Sequence, residues 1–216
     1  MILNNFKKRL VTSLFLLLLF FLIFKSYIIL NYCLIVLGVL SILEFLNLSR
    51  KILKNKLGLI LLNIFFISYI FIFCFIFLMF FNNTLLKYTL SIILFGCIAS
   101  DIGGFIFGKI FKGPKLTKIS PNKTYSGAIG SIVLTLITVS FLFFYFLKIF
   151  NLDIIILALV VSIFCQLGDL LFSLLKRKAK VKDTGNILPG HGGVLDRLDG
   201  IYLGIPVGIL TLALLH

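Results

Sequence analysis

With 216 residues, 61% of them hydrophobic, and a mean hydropathy of +1.19, the chain carries more Leu, Ile and Phe than a water-soluble fold of its size can bury. A net charge of +14 would suit a nucleic-acid binder only if the basic residues shared one soluble face. They stand instead between apolar runs, as in a membrane protein, so no nucleic-acid partner is expected.

Seven apolar runs follow one another, at 10–24, 27–46, 57–81, 85–107, 128–147, 154–175 and 201–215. A span takes about 17–25 apolar residues, which five of the runs supply. The first and last have 15 residues each and need flanking residues or a thinner bilayer. Lys7, Lys8 and Arg9 precede the first run, but no small-x-small cleavage site follows it, so it reads as a retained span. The expectation is an all-α polytopic integral membrane protein with about seven transmembrane helices. With the N-terminus cytoplasmic, 18 of the 21 Lys and Arg fall on the inner side, all but Lys25, Lys87 and Lys148. Both long polar segments, about 108–126 and 176–199, then face the cytoplasm. The four cysteines, Cys33, Cys74, Cys97 and Cys165, lie inside apolar runs without CxxC spacing and read as small buried hydrophobes.

Only seven residues are acidic: Glu44, Asp101, Asp153, Asp169, Asp183, Asp196 and Asp199. Asp101 and Asp169 each lie six residues before the end of an apolar run, about 9 Å along a helix. A carboxylate there costs a few kcal/mol unless it is paired or bound to a metal, so each is a functional candidate. The ordinary structural alternative is a pair with a nearby lysine. Asp183, Asp196 and Asp199 crowd one segment, and on a helix Asp196 and Asp199 share a face. Such a cluster suits a hard divalent cation. The basic residues beside it suit a polyphosphate. Gly190-His191-Gly192-Gly193 permits close backbone approach to a ligand, with N–H groups free for anionic oxygens. A positive-inside cluster with a glycine turn is the simpler alternative, but it leaves the carboxylates unexplained.

The other polar segment reads Ser120-Pro121-Asn122-Lys123-Thr124-Tyr125-Ser126-Gly127 and ends at a span. Lys123 and Thr124 stand just before a helix N-terminus, where an anion site and a simple helix cap are both open readings. Gly104 and Gly108, and Gly200, Gly204 and Gly208, have the small-xxx-small spacing of closely packed membrane helices.

Taken together, Ser173, Lys176-Arg177, Lys182-Asp183, Gly185, Pro189, His191-Gly192-Gly193, Asp196-Arg197 and Asp199 resemble the signature of the phosphatidate cytidylyltransferase (CDP-diacylglycerol synthase) family. Gln166-x-Gly168-Asp169, Ser100-Asp101 and Ser120–Thr124 are also similar, so the resemblance covers roughly residues 96–208. The family's usual Trp-Glu-Gly after Lys-Thr is Tyr125-Ser126-Gly127 here, and its usual Thr after Ser-Asp is Ile102. The resemblance implies N-terminal spans over 1–95 and a catalytic transmembrane region with cytoplasmic loops over 96–216, integrated in one domain. It implies cytidylyl transfer from CTP to phosphatidate at a bacterial inner membrane, on the cytoplasmic side. Mg²⁺ would be held by Asp169, Asp196 and Asp199, with Asp183 in support and a second cation accommodated. Lys176, Arg177, Lys182 and Arg197 would hold the triphosphate or the lipid headgroup. Asn122, Lys123, Thr124, Ser173, Asp101, His191, Gly192 and Gly193 complete the substrate-contact set. A homodimer is left open. The rivals are a CTP-dependent lipid kinase, which releases CDP, an ion transporter, whose acids would be spread across the bilayer, and an inactive scaffold that retains the motif.

Overall fold

The computed structural model describes residues 22, 23, 25–117, 119–121, 123–185, 187 and 192–215. The first apolar run lies almost wholly outside them, as do Asn122 and the 188–191 stretch that contains His191. Among the described residues the chain forms α1 (Tyr27–Ile52), α2 (Lys56–Phe81), α3 (Thr84–Phe111), α4 (Tyr125–Leu147), α5 (Leu152–Lys178) and α6 (Leu195–Leu215). All six are long and apolar enough to cross a membrane. Their outward faces carry large apolar side chains: Phe65 and Phe71 on α2 are 69% and 73% exposed, which is stable only against lipid.

Several helix ends are set by short polar residues. Asn83 accepts from Leu85 N at 3.0 Å to start α3, and Thr124 accepts from Gly127 N at 3.1 Å to start α4. α4 stops at Lys148, whose φ of +57° is left-handed. α3 and α5 outrun their apolar stretches. Asp101 therefore lies ten residues, and Asp169 nine, from the helix ends at Phe111 and Lys178, deeper than the apolar runs suggest. The short last run extends backwards through Asp196 and Asp199, giving a 21-residue α6.

The chain divides into two compact units, one reaching up to Phe81 and joined by Leu175–Leu198, the other Asn82–Leu174 with Asp199–His216. In the first, α1 and α2 pack through stacked Phe45 and Phe66, 3.8 Å between ring centroids, and through Ser49 Oγ donating to Asn63 Oδ1 at 2.7 Å.

In the second, small residues bring helices close enough for backbone contact. A Cβ on Gly103 would stand 2.5 Å from Gly130 O, and one on Gly104 2.8 Å from Ser131 Oγ. Gly200, Gly204 and Gly208 of α6 lie against Cys165, Cys97 and Val161 respectively, so the expected small-residue stripe does serve helix packing. Hydroxyls satisfy carbonyls across this interior: Ser131 Oγ donates to Ser100 O at 2.7 Å and Thr135 Oγ1 to Gly96 O at 3.3 Å.

Candidate active site

In the first unit the polar chemistry centres on Asp196, in the opening turn of α6. Lys176, near the end of α5, donates from Nζ to Asp196 Oδ1 at 2.7 Å, with the two side chains only 14% and 7% exposed. The other oxygen, Oδ2, accepts from Thr184 N at 2.8 Å, Thr184 Oγ1 at 3.0 Å and Gly193 N at 3.1 Å. Four donors thus converge on one carboxylate. Charge-assisted bonds of this kind are roughly twice as strong as neutral ones. The Gly193 N–H is therefore committed to Asp196 and is not free for an anionic ligand, a correction to the reading of the glycine turn.

A second carboxylate lies beside it. Glu44 of α1 is 3% exposed and accepts from Thr184 Oγ1 at 2.7 Å, Val194 N at 3.0 Å and Leu195 N at 2.9 Å. Neither Glu44 nor Thr184 is among the motif residues. The signal for Glu44 is present all the same: a lone carboxylate in the apolar run 27–46 meets the criterion that marks Asp101 and Asp169. Thr184 has no such signal, because a threonine in a polar loop is unremarkable by itself. Asp183 is exposed, and a Cβ on Gly192 would stand 3.7 Å from Asp183 Cβ and 3.2 Å from Asp196 Oδ2. Gly192 has φ +83°, so both its backbone and the space above it favour glycine. Arg177, Lys182 and Arg197 are exposed and Ser173 is half-buried.

In the second unit Asp169 of α5 accepts from Lys123 Nζ at 2.9 Å through Oδ2, with the side chains about a quarter exposed (27% for Lys123, 24% for Asp169). The lysine alternative raised for the buried acids is therefore realised at Asp169. Its Oδ1 accepts no hydrogen bond among the described residues and faces Gly200, where a Cβ would stand 3.3 Å away. Asp199 is 9% exposed and accepts from Gly200 N at 3.0 Å. Asp101 is exposed on α3, with Cys165 Sγ 3.8 Å from its Oδ1. Thr124 caps α4 and its hydroxyl meets Ser126 Oγ at 3.0 Å, so of the two readings of that residue the helix cap is the one its contacts express.

Among the described residues no three His, Cys, Asp or Glu side chains gather as a metal cage. The chemistry of the carboxylate oxygens fits Mg²⁺: Asp169 Oδ1 accepts no hydrogen bond among the described residues, and Mg²⁺ is commonly bound through one or two carboxylates, waters and substrate phosphates rather than an all-protein cage.

An all-helical chain with six membrane-length helices, and with a lysine–carboxylate pair in each of its two units, is a polytopic membrane protein. It belongs to the cytidylyltransferase family, whose model matches residues 3–215. It is 42% identical over 133 residues to the phosphatidate cytidylyltransferase of Bacillus subtilis (strain 168), covering 59% of this chain and 49% of that protein. It is 48% identical over 112 residues to the phosphatidate cytidylyltransferase of Staphylococcus haemolyticus (strain JCSC1435), covering 50% of this chain and 42% of that one. With the Helicobacter pylori (strain J99) protein of the same name the identity is 44% over 107 residues, 50% of this chain and 40% of that one. The chain thus spans less than half the length of the curated relatives it matches.

Proposed function

We propose that this chain transfers a cytidylyl group from CTP to phosphatidate, yielding CDP-diacylglycerol and pyrophosphate. A lipid phosphate oxygen attacks the α-phosphorus of CTP. The bond from that phosphorus to the α,β-bridging oxygen breaks, and the electron pair leaves with pyrophosphate. The nucleophile is already ionised near neutral pH, so no strong general base is needed. The protein's work is to position two polyanions and offset their charge.

The observation that carries the reading is the Lys176–Asp196 pair, two motif residues 20 positions apart held at 2.7 Å in a chain of this family. A lysine anchored in this way keeps its ammonium in place without a substrate, ready to meet phosphate oxygens. Exposed Arg177, Lys182 and Arg197 stand clear of the apolar interior and suit the triphosphate or the lipid headgroup. Lys123 serves the same purpose beside Asp169. Asp169, Asp196 and Asp199 would hold Mg²⁺, with Asp183 in support. When bound, the cation would neutralise charge on the transferring phosphoryl group and its leaving pyrophosphate. Three donors occupy Asp196 Oδ2 and Lys176 alone meets Oδ1, so any part Asp196 has in holding the cation falls to Oδ1, beside the lysine. The positive-inside distribution supports a site on the cytoplasmic side of a bacterial inner membrane, where soluble CTP and an embedded lipid both have access.

The test is purified protein in phosphatidate vesicles with CTP labelled at the α-phosphate, with and without Mg²⁺. Label moving into lipid with release of pyrophosphate supports the reading. Label remaining in soluble CDP, with the γ-phosphate moving to lipid, identifies a lipid kinase instead.

A further inference from the structure

The most buried carboxylate in the described part of the molecule, Glu44, lies in α1, far in sequence from the motif that the proposed reaction uses. Its two oxygens accept three hydrogen bonds, all from residues 184–195. Two come from the backbone at the start of α6. A helix begins with N–H groups that have no partner within the helix, and these need an acceptor from elsewhere. The residue just before α6 is Val194, whose side chain has no oxygen to offer. Glu44 supplies the missing cap from another helix, and its negative charge suits the positive end of the α6 dipole.

The third bond ties this cap to Asp196. Thr184 Oγ1 lies 2.7 Å from Glu44 Oε2 and 3.0 Å from Asp196 Oδ2, and a hydroxyl has a single proton to share between them. Space around Glu44 is kept by glycine: a Cβ on Gly185 would stand 2.6 Å from Glu44 Oε1, and one on Gly193 would meet both carboxylate oxygens. Gly193 of the motif therefore serves an internal carboxylate, which explains why its side-chain space must be empty without any ligand present.

We infer that Glu44 is a positioning residue for the proposed transfer: by capping α6 and holding Thr184, it fixes the loop that presents Asp196 and Lys176. The inference deepens the functional reading above and rests on it for the activity arm of its test. Glu44→Gln keeps the size but replaces one acceptor oxygen with an N–H₂ group that confronts a donor. In full-length protein in detergent, the amides of Val194 and Leu195 are expected to exchange with deuterium about tenfold or more faster than in wild type, since a charged hydrogen bond is worth about 1.5–3 kcal/mol. Turnover in vesicles should fall through kcat, about tenfold to a hundredfold for the same bond, with KM for CTP within about twofold because phosphate contacts are untouched. Thr184→Val should lower kcat in the same way. The double variant should be no worse than the poorer single one, since both break one network.

Wild-type exchange at Val194 and Leu195, or wild-type kcat, in Glu44→Gln would overturn the inference. Were Glu44→Gln to fail to fold, Thr184→Val decides: unchanged kcat overturns it, and a lowered kcat with unchanged thermal stability supports it. Wild-type protein that transfers no cytidylyl group would refute the functional reading. The exchange measurement then judges the cap by itself.

Discussion

Removing one half of the Lys176–Asp196 pair separates its structural part from its chemical part. At 2.7 Å, with side chains 14% and 7% exposed, the pair lies between an exposed ion pair, worth about 0.2–1 kcal/mol, and a fully buried one, whose disruption costs about 3–5 kcal/mol. Lys176→Met leaves Asp196 with three donors, so its cost should be about 2–3 kcal/mol, toward the low end of the buried range. Asp196→Asn should cost at least as much, because the amide nitrogen must face either Lys176 or the N–H groups of Thr184 and Gly193. In the double variant these demands are compatible: the carboxamide oxygen introduced by Asp196→Asn can serve the backbone donors while its nitrogen faces the apolar methionine. Stability should therefore recover by about 1–2 kcal/mol relative to the sum of the single losses. Thermal unfolding in detergent measures this, and pyrophosphate release measures activity. We expect stability to recover in the double variant while activity stays below about a hundredth of wild type, a loss of roughly 2.7 kcal/mol or more in transition-state stabilisation. Additive stability losses would refute the coupled pair. Recovery of turnover together with stability would reduce both residues to scaffold.

Gly168→Ala should destabilise the protein by about 1–3 kcal/mol by overpacking, since its Cβ would stand 2.5 Å from Asp199 O and 3.1 Å from Gly200 Cα, both backbone. Gly58→Ala near the start of α2, whose Cβ would meet only Asn55 Nδ2 at 4.0 Å among the described residues, should instead be neutral or stabilising by up to about 1 kcal/mol; paired melting curves compare the two. Lys123→Met should raise KM for CTP more than it lowers kcat and should shift the Mg²⁺ titration of activity, because Asp169 loses its charge partner. Stripping Mg²⁺ with a chelator should abolish transfer, and restoring it should return activity. A cysteine placed at the exposed Lys180 should react with an impermeant maleimide only in inside-out vesicles, and one at Asn151 only in right-side-out vesicles. The reverse pattern would overturn the orientation.

Membrane residence, the helical class and six of the seven expected spans were legible from apolar runs alone, since lipid forces a long uninterrupted apolar helix at each crossing. The small-residue stripes were equally legible, because close helix approach requires them wherever the partner lies. The motif marked Asp169, Asp183, Asp196 and Asp199 as candidates for chemistry, and only tertiary structure showed how differently each is held. Asp196 is enclosed by four donors, Asp169 pairs with a lysine from another segment and has one oxygen that accepts no hydrogen bond among the described residues, and Asp183 stands exposed. Helix ends were less legible, because α3 and α5 continue through polar residues at no hydrophobic cost, which carries Asp101 and Asp169 further from their ends. Glu44 shows the difference most sharply. Composition placed a lone acid in an apolar helix, but 150 residues separate it from Val194, and no local spacing rule spans that gap. Its role comes from folding alone, where the unmet N–H groups of one helix find the kind of partner that a buried carboxylate can accept.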